Sequence, residues 1–147
     1  SEVVEQFAEL NMEFHLLPLS RSGMNPFIEL RTLFAIYSLM RKIQPDIVHL
    51  VTIKPVLYGG IAARVARVPG MIAAISGLGI TFSSENYQSS LLRKLINWQY
   101  MISLRHKNLK VIFQNPTDRN ILLKMGAIHP EQCVIIPGSG VKISEIN

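Results

Sequence analysis

Short apolar runs alternate along the chain with longer segments of helical periodicity, and this pattern predicts the order of strands and helices. The clearest run is residues 47–52, IVHLVT, whose aliphatic side chains are typical of a strand covered on both faces. Further strands are predicted at residues 12–19, 71–75, 109–113 and 133–136. Helical spacing predicts helices at residues 1–10, 26–43, 55–67, 89–107 and 116–126. This alternation predicts an α/β fold, a parallel sheet with helices on both faces.

The apolar positions of two helices predict which of their sides is buried. For residues 26–43 the predicted buried stripe is Leu30, Leu33, Phe34, Tyr37 and Met40. For residues 89–107 it is Leu91, Leu95, Trp98 and Ile102. Three helices are predicted to begin at a proline, where the missing N–H costs nothing, namely at Pro26, Pro55 and Pro116.

Polar or glycine-bearing segments follow four of the predicted strands. The carboxyl ends of parallel strands meet at one edge of a sheet, here called the carboxyl edge, and ligands bind at that edge in open α/β sheets. Lys54 and Thr52 beside a helix N-terminus are typical of an anion site. The segments predicted to share the edge are Thr52–Lys54, Ser76–Gly79, Asn115–Thr117 and Gly138–Gly140.

Each of these candidates also has an ordinary structural explanation. Lys54 could be a solvated charge, residues 76–79 could be only a turn, and His49 could be a hydrogen-bonded core histidine. No two carboxylates are predicted at this edge, so paired acid–base catalysis within the chain is not expected. The other histidines are too scattered along the sequence to predict a metal site.

Composition narrows the classes of partner. The net charge of +5 favours an anionic partner, but no interleaving of basic and aromatic residues predicts a nucleic-acid binder. The single cysteine, Cys133, is predicted to be a small core residue of a protein in a reducing compartment. No apolar run reaches the ~18 residues of a membrane span. The basic residues near Arg93 and Arg105, flanked by Leu91, Leu92 and Trp98, predict a peripheral contact with a membrane surface.

Two long segments resemble a known enzyme family. Residues 45–82, PDIVHLVTIKPVLYGGIAARVARVPGMIAAISGLGITF, resemble the N-terminal domain of family 4 retaining glycosyltransferases, which have the GT-B fold. Residues 111–141, VIFQNPTDRNILLKMGAIHPEQCVIIPGSGV, resemble the end of the same domain. The SGLG segment followed by Phe82 is similar to the subgroup that builds bacterial surface polysaccharides on polyprenyl-diphosphate sugars.

The resemblance implies one half of a two-domain enzyme. Residues 1–141 would be a partial, Rossmann-like, acceptor-binding domain without its first strand, and residues 142–147 would begin the interdomain linker. The implied acceptor-binding residues are Thr52, Lys54, Ser76, Gly77, Gly79 and Phe82. The implied cleft-lining residues are His49, Asn115, Thr117, Gly138, Ser139 and Gly140. The catalytic residues would lie in the second domain, no cofactor or metal is implied, and this fragment alone would be inactive.

The implied reaction moves a sugar from a nucleotide-sugar donor to a glycan or polyprenyl-diphosphate-sugar acceptor. It would take place in the cytoplasm, at the inner face of the cell membrane. Many relatives carry a histidine where this sequence has Ser76, so no catalytic role of that histidine carries over. Two alternatives stay open: another GT-B enzyme such as a nucleotide-sugar 2-epimerase, and a flavodoxin-like binding module without catalysis.

Overall fold

The computed structural model describes residue 10 and residues 12–18, 25–78 and 90–137. The strands are β1 Ile47–Val51, β2 Gly70–Ile75, β3 Leu109–Phe113 and β4 Cys133–Ile135. The helices are α1 Pro26–Ile43, α2 Ile53–Ala66, α3 Ser90–Ser103 and α4 Pro116–Lys124, with a short 3₁₀ helix at Pro130–Gln132. The predicted helix at residues 1–10 lies outside the described part except for Leu10, which is in a turn.

The four strands form one parallel sheet in the order β1-β2-β3-β4. Residues in register share a face of the sheet, and one such row joins Leu50, Ala73, Val111 and Cys133 across all four strands. Helices α2, α3 and α4 are the three crossovers between successive strands. The Rossmann-like α/β class predicted from the sequence is confirmed.

The strand order decides which face the helices cover. Each crossover adds its strand on the same side of the preceding one, and right-handed crossovers in one direction place their helices on one face. Burial agrees, because Leu50, Ala73 and Val111 are buried whereas Ile47 and Val51 on the other face are exposed. Among the described residues a second helical layer is therefore not seen, and β1 is an edge strand covered on one face only.

Both predicted buried stripes are partly wrong. Helix α1 buries Thr32, Ile36 and Met40, while Leu30 and Phe34 are exposed. The predicted stripe consists of apolar residues, but α1 packs on α2 through its other side. That side includes Thr32, whose hydroxyl donates a 2.6 Å hydrogen bond to the Pro18 carbonyl.

Helix α3 differs from its predicted stripe in a similar way. Tyr100 near its C-terminal end and Leu104 just after it are buried, whereas Leu95 and Trp98 are exposed. The side chain of Leu91 lies outside the described part. Helix α3 contacts α2 near its C-terminal end, so the outward apolar positions upstream have no described element to pack on.

Three predicted boundaries or environments also change. Residues 12–18 form no strand, because alternation alone supplies no hydrogen-bonding neighbour for a backbone. Helix α2 begins at Ile53 and not at Pro55, which remains harmless within the first turn. Cys133 is only half-buried. The pKa of its thiol is raised, mainly by burial; the nearby charge of Arg119 lowers this pKa and that of Glu131 raises it, both by less.

His106, next to the basic residue Arg105, is buried. Its Nε2 donates to the Val68 carbonyl at 2.9 Å and its Nδ1 accepts from the Asn108 backbone N–H at 3.1 Å. His106 therefore fastens the start of β3 to the loop before β2.

Candidate functional site

The ends of all four strands border one pocket at the carboxyl edge. Its volume is about 300 Å³, and its lining includes Val51, Ser76, Gln114 and Pro137, which end or follow β1, β2, β3 and β4 in turn. The Thr52 N–H donates to the Ala74 carbonyl at 3.2 Å, so the end of β1 is held beside β2. The structure thus brings the predicted segments after β1, β2 and β3 to one edge.

Thr52 sits in an unusual backbone conformation at the start of α2. Its φ is 73°, a value that side-chain-bearing residues rarely adopt. Its carbonyl accepts the Val56 N–H at 3.2 Å, and its exposed side chain makes no capping hydrogen bond. The turn aims the N-terminus of α2, with the positive end of its dipole, at the carboxyl edge.

Lys54, in the first turn of α2, is paired with a carboxylate that the sequence did not predict. Its Nζ donates to Glu29 Oε1 of α1 at 3.0 Å. The Glu29 side chain is 16% exposed, so the carboxylate is largely removed from water. No sequence signal shows that the first turns of α1 and α2 meet, which is why the pairing was missed.

Tyr58, one turn further along α2, completes a cluster with Glu29 and Lys54. Burial raises the pKa of the Glu29 carboxyl, but hydrogen bonds from Lys54 and Tyr58 outweigh it and leave this pKa below its ordinary value. Burial, followed by the Glu29 carboxylate, raises the pKa of Tyr58 to about 12. Glu29 is therefore ionised, and it fixes the position of the Lys54 ammonium group while offsetting part of its charge.

Gly77, after β2, is tied to the first turn of α4. Its N–H donates to Asp118 Oδ2 at 2.9 Å, and the Asn115 side-chain amide donates to the same oxygen at 3.1 Å. Asn115 in turn caps α4, since its Oδ1 accepts the Asp118 N–H at 2.8 Å. Asp118 is thus a buried link between two segments of the carboxyl edge.

The expectation of no carboxylate pair at this edge is wrong. Glu29 and Asp118 both lie there, although each is held in hydrogen bonds to its own neighbours. Such bonds suit positioning of the backbone and of Lys54. The Asn-x-x-Asp spacing at residues 115–118 does predict a capped helix start, but not that Asp118 reaches Gly77.

The remaining predicted residues fall into two groups. Ser76 and Thr117 are exposed at the carboxyl edge, and His49 is exposed on β1 and so is not a core histidine. Its strand is open on that side, which explains the difference. Outside the described residues lie Gly79, Phe82, Gly138, Ser139 and Gly140, together with residues 142–147.

A larger cavity of about 880 Å³ lies at the opposite edge of the sheet. Its lining comes from the segments before β3 and β4 and from the ends of α2 and α3. The arginine and lysine side chains among its lining residues are Arg64, Arg105 and Lys107. Trp98 and Met101 add apolar surface. The ends of the strands border the smaller pocket instead.

Two surveys of the described residues complete the picture of the site. Within that part of the chain, no three His, Cys, Asp or Glu side chains are grouped so that they could hold a metal ion. None of the described helices combines the length and the apolar character that crossing a bilayer requires.

The amino-acid sequence matches a known family model and is similar to known proteins. Residues 2–115 match the family model described as "Glycosyl transferase 4-like". The chain is 25% identical over 134 residues to the N,N'-diacetylbacillosaminyl-diphospho-undecaprenol alpha-1,3-N-acetylgalactosaminyltransferase of Campylobacter jejuni, covering 91% of this chain and 35% of that protein.

A second relative has a similar description. The UDP-Gal:alpha-D-GlcNAc-diphosphoundecaprenol alpha-1,3-galactosyltransferase of Escherichia coli is 26% identical over 117 residues, which cover 80% of this chain and 29% of that protein. The chain therefore spans about a third of the length of the curated relatives that it matches.

Proposed function

Because the chain belongs to the glycosyl transferase 4-like family, we propose that it is the acceptor-binding half of a glycosyltransferase in surface-polysaccharide synthesis. The full protein would move a sugar from a nucleotide-sugar donor to a polyprenyl-diphosphate-linked sugar. The two relatives bear names of this kind, with undecaprenol-diphosphate sugars as acceptors. The observation that carries the proposal is the placing of Lys54 at a helix N-terminus on the carboxyl edge.

The arrangement suits recognition of a diphosphate. A helix N-terminus and an ammonium group both favour anions, and they act together when they point to one place. Glu29 holds the Lys54 ammonium group at that place, so its side chain loses less freedom when an anion binds. Thr52, exposed beside it, offers a hydroxyl for the same group.

Gly77 would contribute the room left by its missing side chain, and not a hydrogen bond from its backbone N–H. Its N–H is already donated to Asp118, and a Cβ at this position would meet nothing within 4 Å. Among the described residues there is therefore room beside Gly77 for a sugar ring, with Ser76 next to it. Gly79 and Phe82 would extend this surface, and residues 138–140 would border the cleft to the second domain.

The catalytic contribution of this half would be positional. Holding the acceptor sugar in line with the donor turns a bimolecular encounter into a reaction between fixed groups. Donor binding and the chemical step are assigned to the second domain, which would follow a linker that begins at residues 142–147. A lipid-linked acceptor also implies that the protein works peripherally at the inner face of the membrane.

Kinetics of the full-length enzyme with Lys54→Ala test the proposal. We expect the KM for the lipid-linked acceptor to rise by about tenfold or more, because a hydrogen bond to a charged group is lost. The KM for the nucleotide sugar is expected to stay unchanged. Lys54→Arg, which keeps the charge, is expected to recover part of the affinity.

Two companion variants separate binding from structure. Glu29→Gln removes the partner of Lys54 but leaves its charge, so it reports the effect of positioning. Lys124→Ala removes an exposed cation at the far end of α4 and should leave both KM values unchanged. Unchanged acceptor KM and kcat in Lys54→Ala would rule out the assigned role of Lys54. Absence of transfer by the full-length wild type to any polyprenyl-diphosphate sugar would rule out the proposed reaction.

A further inference from the structure

Helix α1 exposes large apolar side chains along one side. Phe27 is 83% exposed, Leu30 65% and Phe34 67%. With Arg31 and Arg41 they form what we call the outer stripe. Burying aromatic and aliphatic side chains is strongly favourable, so an uncovered row of three on one helix indicates a surface that something contacts.

The outer stripe points away from the body of the protein. Successive residues of a helix are turned by about 100°, so Phe27, Arg31 and Phe34 fall on one side. The buried residues Thr32 and Ile36 lie on the opposite side, against the rest of the fold. The stripe is therefore available without any rearrangement of the described elements.

The charges on α1 suit an anionic partner. Arg31, Arg41 and Lys42 are exposed, and the helix carries a single acidic residue, Glu29. That carboxylate is on the inner side, hydrogen-bonded to Lys54. Apolar side chains bordered by arginine and lysine, with no acid among them, are typical of helices that lie in the headgroup region of a bilayer.

The position of the stripe relates it to the acceptor site. Since α1 leads into β1 at the other edge, its N-terminus lies at the carboxyl edge, as the contact between Glu29 and Lys54 requires. Phe27 and Leu30 are in the first turns of that helix. A protein lying on this surface would hold the carboxyl edge close to the headgroups.

We propose that the outer stripe docks on the surface of an anionic lipid bilayer and so presents the carboxyl edge to a lipid-linked acceptor. The inference rests on the proposed function, because a polyprenyl-diphosphate sugar is anchored in a bilayer with its diphosphate at the headgroup level. Docking through α1 places Lys54 within reach of that level without extraction of the lipid.

The competing surface lies on α3. Leu95 and Trp98 are 51% and 59% exposed, and they lead toward the basic residues Arg105 and Lys107. Those residues lie at the edge opposite the acceptor site. On α1, by contrast, Phe27, Leu30 and Arg31 are exposed in the first turns, beside the carboxyl edge, so the geometry favours α1.

Flotation of the full-length protein with vesicles tests the proposal. The vesicles contain phosphatidylcholine with phosphatidylglycerol, or phosphatidylcholine alone. We expect wild type to bind the anionic vesicles in preference to the neutral ones, and Leu30→Ser/Phe34→Ser to lose about tenfold in binding because two inserted side chains are removed. If the double variant fails to fold, Leu30→Ser alone is used.

The matched control is Leu95→Ser/Trp98→Ser, which removes two apolar side chains of similar exposure from α3. Retained binding by this control, with loss in the α1 variant, supports the proposal. Retained binding by the α1 variant, equal losses in both, or no binding by wild type overturns it. A change from dimer to monomer in the α1 variant, with vesicle binding intact, also overturns it and assigns the stripe to a second copy.

Transfer to a soluble acceptor keeps this inference separate from the proposed function. On a sugar diphosphate with a short, water-soluble lipid, the α1 variant should be as active as wild type, since α1 docking is then irrelevant. Activity with unimpaired vesicle binding in that variant would defeat only the docking inference. Loss of vesicle binding in a protein that transfers to no acceptor would defeat only the proposed reaction.

Discussion

At the scale of single residues, the sequence predicted where a residue lies in the fold better than it predicted which residues it contacts. The position of Lys54 beside a helix start after β1 follows from a strand that runs into a proline-bearing helix. Its pairing with Glu29 depends on how α1 lies against α2, and nothing in the order of residues encodes that contact. Asp118 was likewise visible as a capping residue but not as the acceptor of the Gly77 N–H.

Asp118 is predicted to be a large single contributor to stability. The residue is 2% exposed, and its carboxylate accepts hydrogen bonds from Gly77 and Asn115. Asp118→Ala would leave these two part-buried donors without this acceptor, at a cost of about 3 kcal/mol in the free energy of unfolding. Urea denaturation measures the loss. Asp46→Ala, at an exposed aspartate, should change stability by less than about 0.5 kcal/mol, and equal losses in both would contradict the assignment.

The cluster of Glu29, Lys54 and Tyr58 is predicted to affect how the free energy of unfolding depends on pH in the alkaline range. The pKa of Tyr58 is raised from 10.0 to about 12, so the folded state keeps a proton that the unfolded state has already released. Its contribution is complete below pH 10.0 and is lost as the pH rises through about 12. The free energy of unfolding should therefore fall less steeply over this range in Tyr58→Phe than in wild type.

Tyrosinate absorbance of the folded protein checks the same assignment directly. The difference between the titration curves of wild type and Tyr58→Phe should correspond to one tyrosine that ionises at higher pH than an ordinary tyrosine. In Glu29→Gln that tyrosine should ionise at lower pH, because the neighbouring negative charge is gone. A difference titration with an ordinary tyrosine pKa would show that the cluster does not form.

At the scale of elements, strands were predicted closely and helix faces poorly. Residues 109–113 match β3 to the residue, because a short apolar run between turn residues has few alternatives. Helix α1 carries apolar residues on two sides, so periodicity could not decide between the buried Ile36 and the exposed Phe34. Its burial is set by contact with α2, which is a tertiary property.

The contact between α2 and α3 depends on one glycine. A Cβ on Gly60 would meet the backbone of Ser103, with the carbonyl carbon at 3.0 Å. Ser103 Oγ also donates to the Leu57 carbonyl at 2.6 Å, which fixes the distance between the helices. Gly60→Ala is expected to lower the free energy of unfolding by about 2 kcal/mol despite the better helix propensity of alanine.

Gly59 provides the matched comparison for that substitution. A Cβ there would meet Leu50 Cδ2 at 2.6 Å, which is the end of a side chain that can rotate away. Gly59→Ala should therefore change the free energy of unfolding by less than about 1 kcal/mol, since the gain in helix propensity offsets the contact. Chemical denaturation of the two variants measures the difference, and a larger loss in Gly59→Ala would contradict the packing described.

At the scale of the whole molecule, alternation of strands and helices was enough to predict a parallel sheet. It could not predict the order of the strands, and the order decides whether helices lie on one face or two. The expected helices on both faces assumed a sheet that grows in two directions. Among the described residues the sheet grows in one direction, so Ile47 and Val51 remain exposed on the other face.

Because the described strands are added to the sheet in one direction, their order affects how the chain can fold during translation. Among the described strands, each one after β1 pairs with the strand that left the ribosome just before it, through one intervening helix. Each new strand can therefore add to an edge that is already present, without waiting for a segment still to be translated. A nascent chain would assemble the described part of this half from its N-terminal side onward, with β1 and the most recent strand as the two edges of the sheet.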